Sequence, residues 1–159
     1  MTDLDQMMEI YAQAKRFMDS TGNPTQWKVG YPTREMIQED ISRQRSYVCV
    51  GEDGIVHAAF MFLTGEDPTY RVIEQGSWLN DRPYGTIHRV ASDGVQHGMF
   101  DGIVSYCCGL SPELRADTHR DNRVMQHLLE KNGFVRCGII YVADGTPRIA
   151  YQLQRKGDE

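Results

Sequence analysis

Between residues 86 and 134 the chain twice passes from a strand-like segment through a polar turn into an amphipathic helix, and no other feature restricts its fold as much. The first pass is a strand over 86–92, a turn over 93–98 containing Gly94 and Gly98, and a helix with Met99, Phe100, Ile103, Val104 and Cys107 on its buried face. The second is a short strand over 114–118, a polar turn through Asp121 and Asn122, and a helix striped by Val124, Met125, Leu128 and Leu129 that stops at Gly133. A helix start presents unpaired backbone N–H groups and the positive end of a dipole. Two such starts, each following a strand, suit one long phosphorylated ligand.

The flanking segments complete an α-α-β-β-β-α-β-α-β-β order. Leu4, Met7, Met8, Tyr11, Ala14 and Met18 fall at helical spacing, with Asp3 as N-cap and Gly22 past the end. Pro24 ends that run, and a second helix is predicted to start after Pro32-Thr33 and run to about Gln44. Trp27 lies between the two helices, where an exposed ring would suit a pocket wall. Strands over 46–50 and 55–63 flank the Asp53-Gly54 turn of a β-hairpin, and strands over 134–142 and 148–154 form another around 143–146. Residues 64–83 are less regular, polar and aromatic, and include Glu74 and Trp78. Such a stretch between two strands is a place for a site. The class is α/β or α+β with a mixed sheet, in one domain over 1–159.

Net charge is −5 without a basic run, which argues against nucleic acid or an anionic membrane as partner. The four cysteines have no CxxC spacing and read as buried free thiols of a reducing compartment. No secretory leader and no apolar stretch long enough to span a bilayer is expected, so the reading is a soluble cytoplasmic protein. Cys107 and Cys108 sit in an apolar run and read as packing residues, and no spacing suggests a metal site. His119 and Asp117 read as partners of loop backbone groups.

The segment Ile87-His88-Arg89-Val90-Ala91-Ser92, followed by Gly94-Val95-Gln96-His97-Gly98, resembles the fourth strand and pyrophosphate loop (Gln/Arg-x-x-Gly-x-Gly/Ala) of the GNAT superfamily of acyl-CoA-dependent N-acetyltransferases. Asp121-Asn122 and then Leu129-Glu130-Lys131-Asn132-Gly133-Phe134 resemble its Asn-led helix ending in Tyr-Glu-Lys-x-Gly-Phe. The resemblance covers nearly the whole chain in element order. It implies a central, twisted, mostly antiparallel sheet with splayed fourth and fifth strands and helices on both faces. It also implies acetyl-CoA as cofactor, an amine acceptor that is a small molecule or peptide, and, since many members are dimers, a homodimer.

By the same resemblance, backbone N–H groups of Gln96, His97, Gly98, Met99 and Phe100 would hold the pyrophosphate. Backbone of Val90, Ala91 and Ser92 would pair with the pantetheine arm and polarise the thioester carbonyl, and Asn122 would touch that arm. An alkylamine with a pKa of about 10.4 is neutral only to roughly one part in a thousand at pH 7, so attack on a thioester needs a base. Glu74 and His88 are the candidates. Trp27 and Trp78 are candidates for lining the acceptor pocket, and Glu66, Asp67, Glu74 and Asp81 favour a cationic small amine as acceptor. Three positions depart from the family pattern: Val95 for Gln or Arg, Phe100 for a small residue, and Leu129 for the tyrosine that protonates the leaving thiolate. They leave as one alternative a GNAT-shaped domain that senses a CoA ester or has lost the cofactor; a protein N-terminal or lysine acetyltransferase is the other, the acceptor being open.

Overall fold

A computed structural model describes residues 3–154. The element order is that expected: α1 (Asp3–Ser20), α2 (Arg34–Ser42), β1 (Ser46–Val50), β2 (Val56–Thr64), β3 (Gly85–Ser92), α3 (Met99–Leu110), β4 (Glu113–Thr118), α4 (Arg123–Lys131), β5 (Val135–Tyr141) and β6 (Pro147–Gln154). A short 3-10 turn, Pro68–Tyr70, is added in the irregular stretch. Asp3, expected as a cap, is already helical. The second helix stops at Ser42 rather than Gln44, because the Arg45 N–H turns back to the Asp40 carbonyl and Gln44 takes a left-handed φ of 58°. Among the described residues no helix is long and apolar enough to cross a membrane.

The six strands form one mixed sheet in the order β1-β2-β3-β4-β6-β5. Antiparallel pairing joins β1 to β2, β4 to β6 and β5 to β6. The parallel pairing of β3 with β4 covers only Gly85 and Thr86 against Leu114 and Arg115. These are the strands that correspond to the splayed fourth and fifth of the expected fold.

The chain divides into two compact units, one made of the chain up to Phe62 with His88–Met99, the other of Leu63–Ile87 with the chain from Phe100 on. β3 therefore gives its first residues to the second unit and its last to the first. In the first unit the amphipathic faces of α1 and α2 supply Met7, Ile10, Tyr11, Ala14 and Ile37 to a core shared with Trp27, Val56, Ala59 and Ala91. In the second, Tyr70, Tyr84, Ile140 and Ala150 form a cluster on which Ile73 and Trp78 pack. Each large apolar side chain so buried contributes about 1.5–3 kcal/mol.

Residues 71–80 are less irregular than their composition suggests. Glu74 forms an antiparallel bridge with Ile139 of β5, its N–H on the Ile139 carbonyl at 2.9 Å and the Ile139 N–H on its carbonyl at 2.8 Å. This strap crosses β5 where Arg136 and Gly138 break the register. A Cβ on Gly76 would fall 1.9 Å from the Cys137 carbonyl oxygen, and one on Gly138 would fall 2.5 Å from that of Glu74. Two glycines facing each other let two backbones touch.

Candidate functional site

In the first unit, β3 runs through His88, Val90, Ala91 and Ser92 into the loop over 93–98. Ala91 is buried, His88 and Val90 are half-buried, and Ser92 is exposed. Extended backbone would put His88, Val90 and Ser92 on one face, but Arg89 interrupts the alternation with a left-handed φ of 50°. An L-residue resists that conformation, so surrounding contacts have to hold it. The Arg89 guanidinium donates to the Tyr31 hydroxyl at 3.0 Å and to the carboxylate of Asp40 on α2, and lies 5.8 Å from the Tyr31 ring centre. An arginine gives no sequence signal of such a conformation.

The loop begins as an Asx turn, with the Val95 N–H donating to Asp93 Oδ1 at 2.9 Å. Gly94 (φ 73°) and Gly98 (φ 76°) are both left-handed, and Gln96, His97 and Gly98 are exposed. The chain then enters α3, whose first N–H groups have no intrahelical acceptor. Phe100 does not crowd the loop: it is 6% exposed and belongs to the buried face of α3 with Ile103, Val104 and Cys107. A helix start of this kind suits an anion.

Trp27 is buried rather than exposed. Its ring packs 6.0 Å from Tyr11 of α1 and 5.6 Å from Tyr31 of the same Pro-containing link.

In the second unit, Asn122 caps α4: its Oδ1 accepts the Met125 N–H at 3.0 Å, and the residue is almost fully buried. The Asp121 N–H donates to His119 Nδ1 at 3.0 Å, which leaves the ring proton on Nε2. Burial, then the Arg148 charge, push the His119 pKa down, so the ring is neutral at pH 7. The Tyr70 hydroxyl, buried, donates to Asp117 at 2.7 Å, and burial raises its pKa well above the ordinary value. Leu129, at the position of the family tyrosine, is fully buried core.

Glu74 is exposed on the strap and accepts a hydrogen bond from the Tyr141 hydroxyl at 2.9 Å. That bond raises the Tyr141 pKa. Trp78 is half-buried, donating from Nε1 to the Tyr70 carbonyl at 2.9 Å, and the Arg115 guanidinium stacks between its ring (4.1 Å) and that of Tyr84 (3.9 Å). Two members of the acidic stretch have local partners: Glu66 with Arg71 at 2.9 Å, and Asp67 with Thr69. Sequence reading did not find Arg89, Tyr31 and Asp40, nor the Tyr70–Asp117 pair, since each joins residues far apart in the chain.

No family model and no curated protein matches the sequence. Among solved structures, an acetyltransferase of the GNAT family from Streptococcus agalactiae is 32% identical, with a TM-score of 0.87 over 98% of this chain and 91% of that one. The chain belongs to the GNAT acetyltransferase family. A GNAT-family acetyltransferase from Listeria monocytogenes shares the fold at 17% identity, with a TM-score of 0.69 over 95% of this chain and 88% of that one. So does a chain of the NatC complex, crystallised with Gag peptide and CoA, at 16% identity and a TM-score of 0.58 over 92% of this chain and 91% of that one. As a GNAT protein this chain is placed among acetyltransferases.

Proposed function

We propose that this GNAT protein moves an acetyl group from acetyl-CoA to a primary amine by direct attack, with no covalent intermediate on the enzyme. The loop over 93–98, with its two left-handed glycines opening α3, carries the reading. Its N–H groups, from Gln96, His97, Gly98, Met99 and Phe100, would hold the diphosphate, and backbone of Val90, Ala91 and Ser92 would orient the arm beyond it. The coenzyme supplies the acetyl group as an activated thioester. In the second unit, Asn122 is a separate candidate for contact with that arm. The CoA found with the NatC complex supports the choice of cofactor.

The acceptor must lose a proton before or during attack, and Glu74 or His88 would take it, directly or through water. Glu74 already receives the Tyr141 hydroxyl, but a carboxylate has lone pairs for more than one donor. A small cationic amine is the preferred acceptor on charge, Glu74 and Asp81 being the exposed carboxylates of 71–81. Trp78, half-buried on the strap, remains the candidate for its wall, whereas Trp27 is taken up by the core of the first unit. No group at Leu129 can protonate the departing thiolate, and with a thiol pKa near 8.5 water is sufficient for that role. The free cysteines suit a cytoplasmic setting, and a homodimer stays the expected assembly.

Thiol release with acetyl-CoA across a panel of small amines and peptides tests this reading. The variant lacking the true base, Glu74→Gln or His88→Ala, should lose about 100-fold in kcat/KM and its acid limb in the pH profile. If both variants keep the wild-type profile, neither residue is the base. Acetyl-CoA binding without thiol release from any amine would favour the sensor.

A further inference from the structure

His57, in β2, is 4% exposed and sits between two carboxylates. Its Nδ1 is 2.6 Å from Asp93 Oδ2 and its Nε2 is 2.9 Å from Asp53 Oδ2. Carboxylates only accept, and a neutral imidazole has one N–H, so both bonds exist together only in the imidazolium. Asp93 is the first residue of the loop over 93–98. It is tied to β2 a second time by its backbone N–H, which donates to the His57 carbonyl at 3.0 Å, while its other carboxylate oxygen closes the turn on Val95. Asp53, in the β1–β2 turn, is fixed by the Ile55 N–H at 2.9 Å. The same turn packs on the loop: a Cβ on Gly51 would lie 2.9 Å from the His57 ring and 3.1 Å from Gln96 Nε2.

We propose that His57 is a positioning residue for the anion-binding loop: as the imidazolium it pins Asp93 to β2 and offsets its negative charge, and on deprotonation it releases the loop. The proposal rests on the reading of 93–98 as a diphosphate loop. An anion approaching that loop meets the Asp93 carboxylate at its base, and a cation beside the carboxylate reduces the repulsion.

The charged groups that face the ring are Asp93 from the end of β3 and Asp53 from the β1–β2 turn. From α1 the side chain that reaches this end of β2 is Gln6, uncharged, which accepts the Val56 N–H. The bonds to Asp93 and then Asp53 raise the His57 pKa above its ordinary value, against the opposing effect of burial. The clamp is therefore complete below the ordinary imidazole pKa of about 6.5 and is lost as pH rises through the elevated value.

Calorimetric titration with dephospho-CoA, whose diphosphate keeps a constant charge between pH 5.5 and 8.5, reads the device directly. His57 imidazole nitrogen shifts and amide hydrogen exchange over 93–98 are followed in parallel. The expected result is a roughly tenfold loss of affinity as His57 titrates, a lower midpoint in Asp53→Asn, and a weak, pH-independent affinity in His57→Gln. Exchange of the loop amides should quicken at the same midpoints. Asp53 is exposed enough that Asp53→Asn carries the test should His57→Gln not fold. Tight binding that is independent of pH, with loop exchange indifferent to Asp53→Asn, would overturn the clamp and leave the diphosphate reading intact. Loop exchange that tracks His57 while dephospho-CoA fails to bind at any pH would support the clamp and remove the diphosphate reading.

Discussion

Valine in place of Gly98 is expected to weaken coenzyme A binding about 100-fold, equivalent to about 2.7 kcal/mol. Gly98 holds a φ of 76°, and a side chain there costs about 1–2 kcal/mol, more when it is β-branched. The backbone escapes that cost by turning to negative φ, which swings the N–H groups of the loop away from the start of α3. Gly98 is also exposed, so the isopropyl group would stand where a diphosphate has to approach. Because the loop is a surface connection, global stability should fall by only about 1 kcal/mol. Calorimetric titration beside a urea melt separates the two effects. A variant that binds as tightly as wild type would mean that the anion is held elsewhere.

Gly76→Ala should have the largest effect on stability, a loss of about 3 kcal/mol. The added methyl meets the Cys137 carbonyl oxygen at 1.9 Å, and that oxygen belongs to the backbone of β5, so no rotamer change relieves the overlap. Either the strap over 71–80 lifts from β5, giving up both hydrogen bonds of the Glu74–Ile139 bridge, or the bulge in β5 is forced apart. For a chain of this length the loss corresponds to a fall of about 6–12 °C in Tm. The functional consequence is separate: the strap carries Glu74 and Trp78, so kcat/KM should fall in the variant even at temperatures where it stays folded. A Tm within 1–2 °C of wild type, by differential scanning calorimetry, would show that the strap is not bound as described.

The elements were legible because their signals are local. Helical spacing in α1, the Asp-Gly turn between β1 and β2, the helix starts after Pro32-Thr33 and at Asp121-Asn122, and Gly133 as a stop each depend on residues within a few positions of one another. The turn over 93–98 was legible for the same reason, since glycine advertises the left-handed backbone that Gly94 and Gly98 adopt. What stayed hidden depends on pairs distant in sequence. Asp40 and Arg89 are 49 positions apart, His57 and Asp93 are 36 apart, and Glu74 and Tyr141 are 67 apart.

Trp27 illustrates the same limit from the other side. A tryptophan in a Pro-rich link reads as exposed until Tyr11 and Tyr31 are known to cover it. Phe100, a departure from the family motif, turns out to be compatible with the loop once the helix is seen to bury it. Leu129 is core, which leaves the acid of the family mechanism without a counterpart at that position.

The central claim, that this GNAT protein uses acetyl-CoA, is tested most directly by thermal unfolding with and without the cofactor. At 100 times its dissociation constant, acetyl-CoA should add about 2.7 kcal/mol to stability and raise the unfolding temperature by about 5–10 °C. CoA should do the same, and pantetheine, which lacks the diphosphate, should give a smaller shift. An unfolding temperature unchanged by both acetyl-CoA and CoA at millimolar concentration would contradict the account.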